Sequence, residues 1–210
     1  MRKNRRKMKS VGAVLLTVVL LCGLTACGGS GKEREWKTEF SSTDWKTLEF
    51  SLDGRICTFP VSCADLEAVG YRIDKATRQE WLEAGYYTTG IPMENEAGVK
   101  IYVRFKNFGE KDQRLKDCDV YGLTFSYSDY EDDNPEVILC NGVTFGMTSE
   151  EVKALMGEPY SYSHNVDDSF ETVYVTESME YYVTDSVWES KIEFSFLNEA
   201  LYKIDIRNTD

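Results

Sequence analysis

Asp53-Gly54-Arg55-Ile56-Cys57-Thr58-Phe59-Pro60-Val61-Ser62-Cys63-Ala64-Asp65-Leu66-Glu67-Ala68-Val69-Gly70-Tyr71 is echoed by Asn141-Gly142-Val143-Thr144-Phe145-Gly146-Met147-Thr148-Ser149-Glu150-Glu151-Val152-Lys153-Ala154-Leu155-Met156-Gly157-Glu158-Pro159-Tyr160. Each stretch holds an Asx-Gly turn, a Thr-Phe strand end, a hydroxyl residue, an acid three residues on, an apolar helix face and a closing glycine. Ser62 and Thr148 are placed to accept from the free N–H groups of a first helical turn, and Asp65 and Glu151 complete capping boxes. Gly70 and Gly157 supply the left-handed closing residue, and Pro159 stops the second helix. Helices this short need a sheet to pack against.

Strands are predicted on both sides of these units. Thr47 to Leu52, the turn Asp53-Gly54, and Arg55 to Phe59 carry a strong hairpin signal. Lys75 to Ala84 reads as a helix closed by Gly85. Val99 to Phe105 and Val120 to Ser128 read as strands. Glu171 to Thr176, Met179 to Val183, Lys191 to Leu197 and Leu201 to Ile206 read as a meander. The last two runs alternate apolar with polar, which suits an antiparallel sheet with one wet face. Helix then antiparallel strands, met twice, predicts an α+β fold. It would have two tandem repeats, 46–130 and 136–210, each with short helices followed by an antiparallel β-meander. The polar stretch Asp129 to Pro135, with an acidic linker at 131–135, separates them.

The motif Gly146-Met147-Thr148-x-x-x-Val152-x-x-x-x-Gly157-x-Pro159 resembles the small-lipoprotein family of SmpA/OmlA type and the tandem-repeat fold of the β-lactamase inhibitor protein. That resemblance implies a short helical segment before an antiparallel sheet, and action by binding other proteins rather than by catalysis. The first unit departs from the motif, with Pro60-Val61 in place of Gly-Met and no proline after Gly70.

The N-terminus carries a different signal. Met1 to Ser10 is basic, and Val11 to Leu21 is an apolar run too short to span a bilayer comfortably. Leu24-Thr25-Ala26-Cys27 then resembles the lipobox of bacterial lipoproteins. The resemblance implies a signal peptide over 1–26, removal of Cys22 with it, and lipidation of Cys27. A glycine-rich, charged tether follows within 27–45. The expected location is the extracytoplasmic face of a cell membrane, reached through the lipid.

The chain has 210 residues, 24 basic and 36 acidic. The leader holds six basic residues (Arg2, Lys3, Arg5, Arg6, Lys7 and Lys9) and no acid, so the remainder carries 18 basic against 36 acidic, a net of −18. Such a surface repels phosphate backbones, so nucleic acid is excluded as a partner. With 42% hydrophobic residues, a core does not depend on disulfides. Cys57, Cys63, Cys118 and Cys140 nevertheless form an even set suited to disulfides in an exported chain, with the pairing open; buried thiols are the alternative.

Signals for chemistry are sparse. His164, in the polar loop Ser161 to Asn165, is the only histidine, and nothing around it looks like a nucleophile elbow. No Cys-x-x-Cys pair suggests zinc. The acids Asp129, Glu131, Asp132, Asp133 and Glu136 lack the glycine and spacing of a calcium loop. No catalytic residue, metal or cofactor is assigned. Tyrosines 160, 162, 174, 181, 182 and 202 gather in the second unit, where exposure on one face would make a surface for a protein or glycan. The leading expectation is a membrane-tethered binding module for a protein or cell-wall component. The alternatives are a carboxylate-dependent envelope hydrolase and a structural or envelope-stress lipoprotein without a ligand.

Overall fold

The Asp53-Gly54 turn closes a hairpin of β1 (Glu49–Leu52) and β2 (Arg55–Thr58). Both turn residues take positive φ, 48° and 76°, as a two-residue turn matched to strand twist requires. β1 pairs on its other side with β9 (Val137–Leu139), so a three-stranded sheet runs β2-β1-β9. The computed structural model describes residues 36–131, 133–169, 173–184 and 190–209. The expected signal peptide, Cys27 and the first part of the tether lie outside them.

A larger antiparallel sheet forms the body of the molecule. Its strands are β3 (Val61–Ser62), β5 (Ile91–Glu94), β6 (Lys100–Lys106), β8 (Asp119–Ser126), β10 (Ser161–Asp167), β11 (Tyr174–Tyr182), β12 (Lys191–Leu197) and β13 (Ala200–Arg207). The order is β10-β11-β12-β13-β8-β6-β5, with β3 also paired to β8. β4 (Trp81–Leu82) and β7 (Gln113–Arg114) make a separate two-stranded ribbon. The helices are α1 (Cys63–Val69) and α2 (Ser149–Met156).

Strand alternation sorts the side chains. Met179, Phe194, Ile204 and Phe125 stand opposite one another in succession across four strands and are all buried. Phe50 of β1 meets Phe125 with ring centroids 5.6 Å apart, so the small sheet packs on this apolar face. Leu66 of α1 and Val152 of α2 join the same core. The intervening positions of the large sheet carry charge: Arg104, Asp205, Arg207, Glu193, Lys191 and Glu180 are linked by ion pairs from β6 to β11.

The expected α+β class is corrected. The fold is predominantly antiparallel β, with two α helices of seven and eight residues among the described residues. It is not built from two helix-plus-meander repeats. β13 pairs with β8 and β9 pairs with β1, so strands from 46–130 and 136–210 share both larger sheets. Pairing satisfies backbone N–H and C=O groups that separate small meanders would leave on open edges.

Two local expectations are corrected with it. Lys75 to Ala84 is not an α-helix; it contains a 3-10 turn at Thr77–Gln79 and strand β4. No residue of that turn is buried and Trp81 is 63% exposed, so an α-helix there would have no apolar stripe to bury. Ser161 to Asn165, read as a polar loop, belongs to β10, which pairs residue for residue with β11. Six of its seven residues are exposed, which is why apolar periodicity does not announce it. The two strands read at 171–176 and 179–183 are one continuous strand over the described part, β11.

Candidate binding groove

α2 sets up the groove. Thr148 accepts from the Glu151 N–H and the Glu151 carboxylate accepts from the Thr148 N–H, forming a reciprocal cap. Gly157 ends the helix at φ +86°, donating to the Lys153 carbonyl. Glu158, Pro159 and Tyr160 follow, and the Tyr160 N–H donates to the Glu180 carbonyl, where the chain joins β11. α1 carries the same reciprocal cap between Ser62 and Asp65, with Gly70 at φ +125°.

A groove of about 460 Å³ lies beside this chain reversal, lined by Trp45, Lys46, Met156, Glu158, Pro159, Tyr160, Tyr181, Tyr182 and Thr184. Trp45 enters from a 3-10 turn, Trp45–Thr47, whose first N–H groups are capped by Asp44. Its ring meets Tyr181 edge-on at 5.8 Å. Tyr181 in turn contacts Phe194 of the core and donates from its hydroxyl to the Gly157 carbonyl at 3.0 Å. Burial pushes the Tyr181 hydroxyl up to about 12, so it stays a donor. Tyr160 and Tyr182 form a second edge-on pair at 4.9 Å.

The two pairs differ in role. Tyr181 is 2% exposed and belongs to the wall, whereas Tyr160 is 69% exposed and presents its ring to solvent. Lys46 and Glu158 place opposite charges on the rim. Aromatic faces with a few polar groups bind apolar side chains or the C–H faces of sugars while charges fix orientation.

The predicted tyrosine surface is only partly assembled here. Tyr160, Tyr181 and Tyr182 line the groove. Tyr162 stands on β10, donates to Glu177 at 2.8 Å and lies under the Lys153 ammonium. Tyr174 lies towards the other end of the β10-β11 hairpin. Tyr202 lines a separate depression of about 410 Å³ with Tyr127, Tyr130 and Phe145. Trp45, Lys46 and Thr184 are groove residues that sequence reading missed; for Trp45, a tryptophan inside a stretch assigned as flexible tether was the one signal.

The remaining candidates are dispersed. His164 is exposed on β10, its Nδ1 4.0 Å from Glu177, while neighbouring Ser163 pairs with Ser178 across the strands. Cys57, Cys63, Cys118 and Cys140 are all buried. The polar stretch after β8 is closed by Asn134, which accepts from the Ser128 N–H and donates to the Ser128 carbonyl. Among the described residues no three His, Cys, Asp or Glu side chains are grouped to hold a metal ion. The carboxylates displaced from their ordinary range among the described residues, Glu49, Asp74, Glu151, Asp167 and Asp205, are all displaced downward. No helix of the described residues is long and apolar enough to cross a membrane. Compared with known protein families, curated proteins and solved structures, the chain matches none.

Proposed function

We propose that this chain is a lipid-anchored extracytoplasmic binding module. Its groove beside α2 would take a segment of a protein or of an envelope component. The observation that carries the reading is the edge-on Tyr160–Tyr182 pair, with Tyr160 69% exposed, lining one groove together with Trp45, Lys46 and Glu158. Exposed aromatic rings lose apolar contact with water when a partner covers them, which favours capture of a ligand. The lipobox Leu24-Thr25-Ala26-Cys27 supports the anchorage, and the net charge of −18 past the leader favours partners other than nucleic acid.

Two measurements test the two halves of this reading. Labelling with palmitate should mark the wild-type chain, and Cys27→Ser should appear in the soluble fraction rather than in membranes. An unlabelled, unprocessed chain in the membrane fraction removes the anchor. Affinity capture from solubilised envelope, followed by titration of each recovered component against Tyr160→Ala and Trp45→Ala, tests the groove. Wild-type and variant chains binding equally well would remove the groove as the site.

A further inference from the structure

β10 ends the large sheet with one edge open. It pairs with β11 residue for residue over all seven positions, with no shift in register. The Asn198 N–H, just beyond β12, donates to the Val175 carbonyl, and the Val175 N–H donates to the Asn198 side chain. Val175 therefore turns its backbone groups towards β12. The Val183 N–H, donating to the Ser190 carbonyl, points to that same side. The Glu180 carbonyl instead accepts from the Tyr160 N–H, towards β10. Odd-numbered positions of β11 thus face β12 and even-numbered ones face β10. Met179, Glu177 and Val175 stand opposite Tyr162, His164 and Val166, which makes these the non-hydrogen-bonded pairs of the ladder. The N–H and C=O groups of Tyr162, His164 and Val166 consequently point out of the sheet edge. Among the described residues nothing pairs with them.

Exposed edges of this length are ordinarily blunted by lysine, proline or a bulge. β10 has none of these. The opposite end of the large sheet is closed: β5 carries Pro92, and Arg72 and Glu94 exchange two backbone hydrogen bonds at 2.9 and 3.0 Å. The side chains of β10 sort by face. Tyr162, His164 and Val166 share one, with Tyr162 46% and Val166 52% exposed. Ser161, Ser163, Asn165 and Asp167 share the other. Tyr160, which lines the groove, immediately precedes β10, so the open edge continues from the groove.

We propose that β10 receives an extended segment of a partner protein as an added strand, its apolar side chains alternating with lysine or arginine. This deepens the groove reading and rests on it for the point of entry: the segment passes from the groove at Tyr160 along β10. A polypeptide supplies N–H and C=O groups at the strand repeat that Tyr162, His164 and Val166 present, which a glycan does not. Every second side chain of the segment lies beside Tyr162 and Val166 and is apolar. The intervening ones lie on the side of Asp167 and are basic. The balance of 18 basic to 36 acidic residues after residue 26 attracts such a segment and opposes pairing of β10 with a second copy of this chain.

The probe is a capped peptide of alternating valine and lysine, as long as the seven-residue strand, titrated against the full chain in detergent by fluorescence anisotropy. Methylating one alternate set of its amide nitrogens should weaken binding roughly tenfold, and methylating the other set should leave it unchanged. Val166→Pro removes one outward N–H but none of the bonds to β11, and should weaken binding as well. The methylated peptides decide the matter on the wild-type chain even where that variant fails to fold. Glutamate in place of lysine should abolish binding. A valine–lysine peptide that does not bind, equal binding of the two methylated forms, or equal binding of the glutamate form overturns the proposal. So does a homodimer, seen by light scattering, that Val166→Pro dissociates, since a second copy then occupies the edge. Envelope capture that still depends on Tyr160 and Trp45 while the peptide fails to bind sinks the added strand and spares the groove. Edge-dependent peptide binding with envelope capture indifferent to Tyr160→Ala and Trp45→Ala supports the strand site and removes the groove.

Discussion

Arg104 and Asp205, 101 positions apart in sequence, form a two-pronged ion pair at 3.1 and 2.7 Å across the large sheet. Asp205 also accepts from Thr124 at 2.8 Å and from Arg207 at 2.9 Å. Burial pushes its carboxyl upward, but the Arg104 and Arg207 charges and the Thr124 hydrogen bond outweigh this and hold it below the ordinary range. Asp205 is 2% exposed at the side chain and Arg104 is 16% exposed, so loss of either partner has unequal consequences. Arg104→Ala leaves a buried carboxylate with only Arg207 and Thr124, and should cost about 2–3 kcal/mol; Arg207 keeps this below the range for a fully orphaned buried charge. Asp205→Ala leaves guanidinium groups that can turn towards water and should cost less. Urea midpoints of the two variants check this, and the reverse order would refute it.

Glu49 supplies a pH dependence. Its carboxylate accepts from the Ser41 hydroxyl at 2.7 Å, the Ser41 N–H at 2.8 Å and the Lys37 ammonium at 2.9 Å. The Ser41 hydroxyl is the largest influence, and the carboxyl drops from 4.5 to about 2 despite its burial. A carboxylate lowered on folding stabilises the native state fully above its unfolded value and loses that contribution as pH falls through the folded value. Wild-type stability should therefore fall more steeply than that of Glu49→Gln between pH 4.5 and about 2. Parallel denaturation curves of the two proteins across that window would contradict the assignment.

The cap of α2 is both structural and positional. Thr148→Ala removes the acceptor for the Glu151 N–H and should cost about 1 kcal/mol. Thr148→Ser keeps an acceptor and should cost less. Chemical denaturation of the three proteins at one pH measures this, and equal losses would show that the cap contributes nothing.

Stability and binding should separate within the groove. Tyr160 is mostly solvated, so Tyr160→Ala should change stability by less than about 0.5 kcal/mol while weakening capture of an envelope partner. Tyr181→Phe leaves the Gly157 carbonyl without its donor and should cost about 1 kcal/mol of stability. Melting curves alongside the capture assay give the comparison. A Tyr160→Ala chain that unfolds readily would show that ring to be structural.

Much of the local structure was legible in the residues. The Leu48-Phe50-Leu52 alternation and the Asp53-Gly54 turn marked the first hairpin. Ser62/Asp65 and Thr148/Glu151 marked helix starts, and Ile192 to Phe196 marked a half-buried strand. Such signals need only residues within a few positions of one another. Strand β10 was illegible because it buries almost nothing, and the segment at 75–84 misled because helix-forming residues there have no apolar face to dock.

What the sequence determined by itself was this set of turns, caps and alternating strands, together with the acidic balance after residue 26 and the basic, then apolar, N-terminal run. Tertiary structure alone decided the fold class, by pairing β8 with β13 and β1 with β9. It likewise brought Trp45 to Tyr181. Caps and turns are satisfied within one stretch of chain, whereas the choice of neighbouring strand depends on which distant apolar faces fit and which backbone edges close on each other.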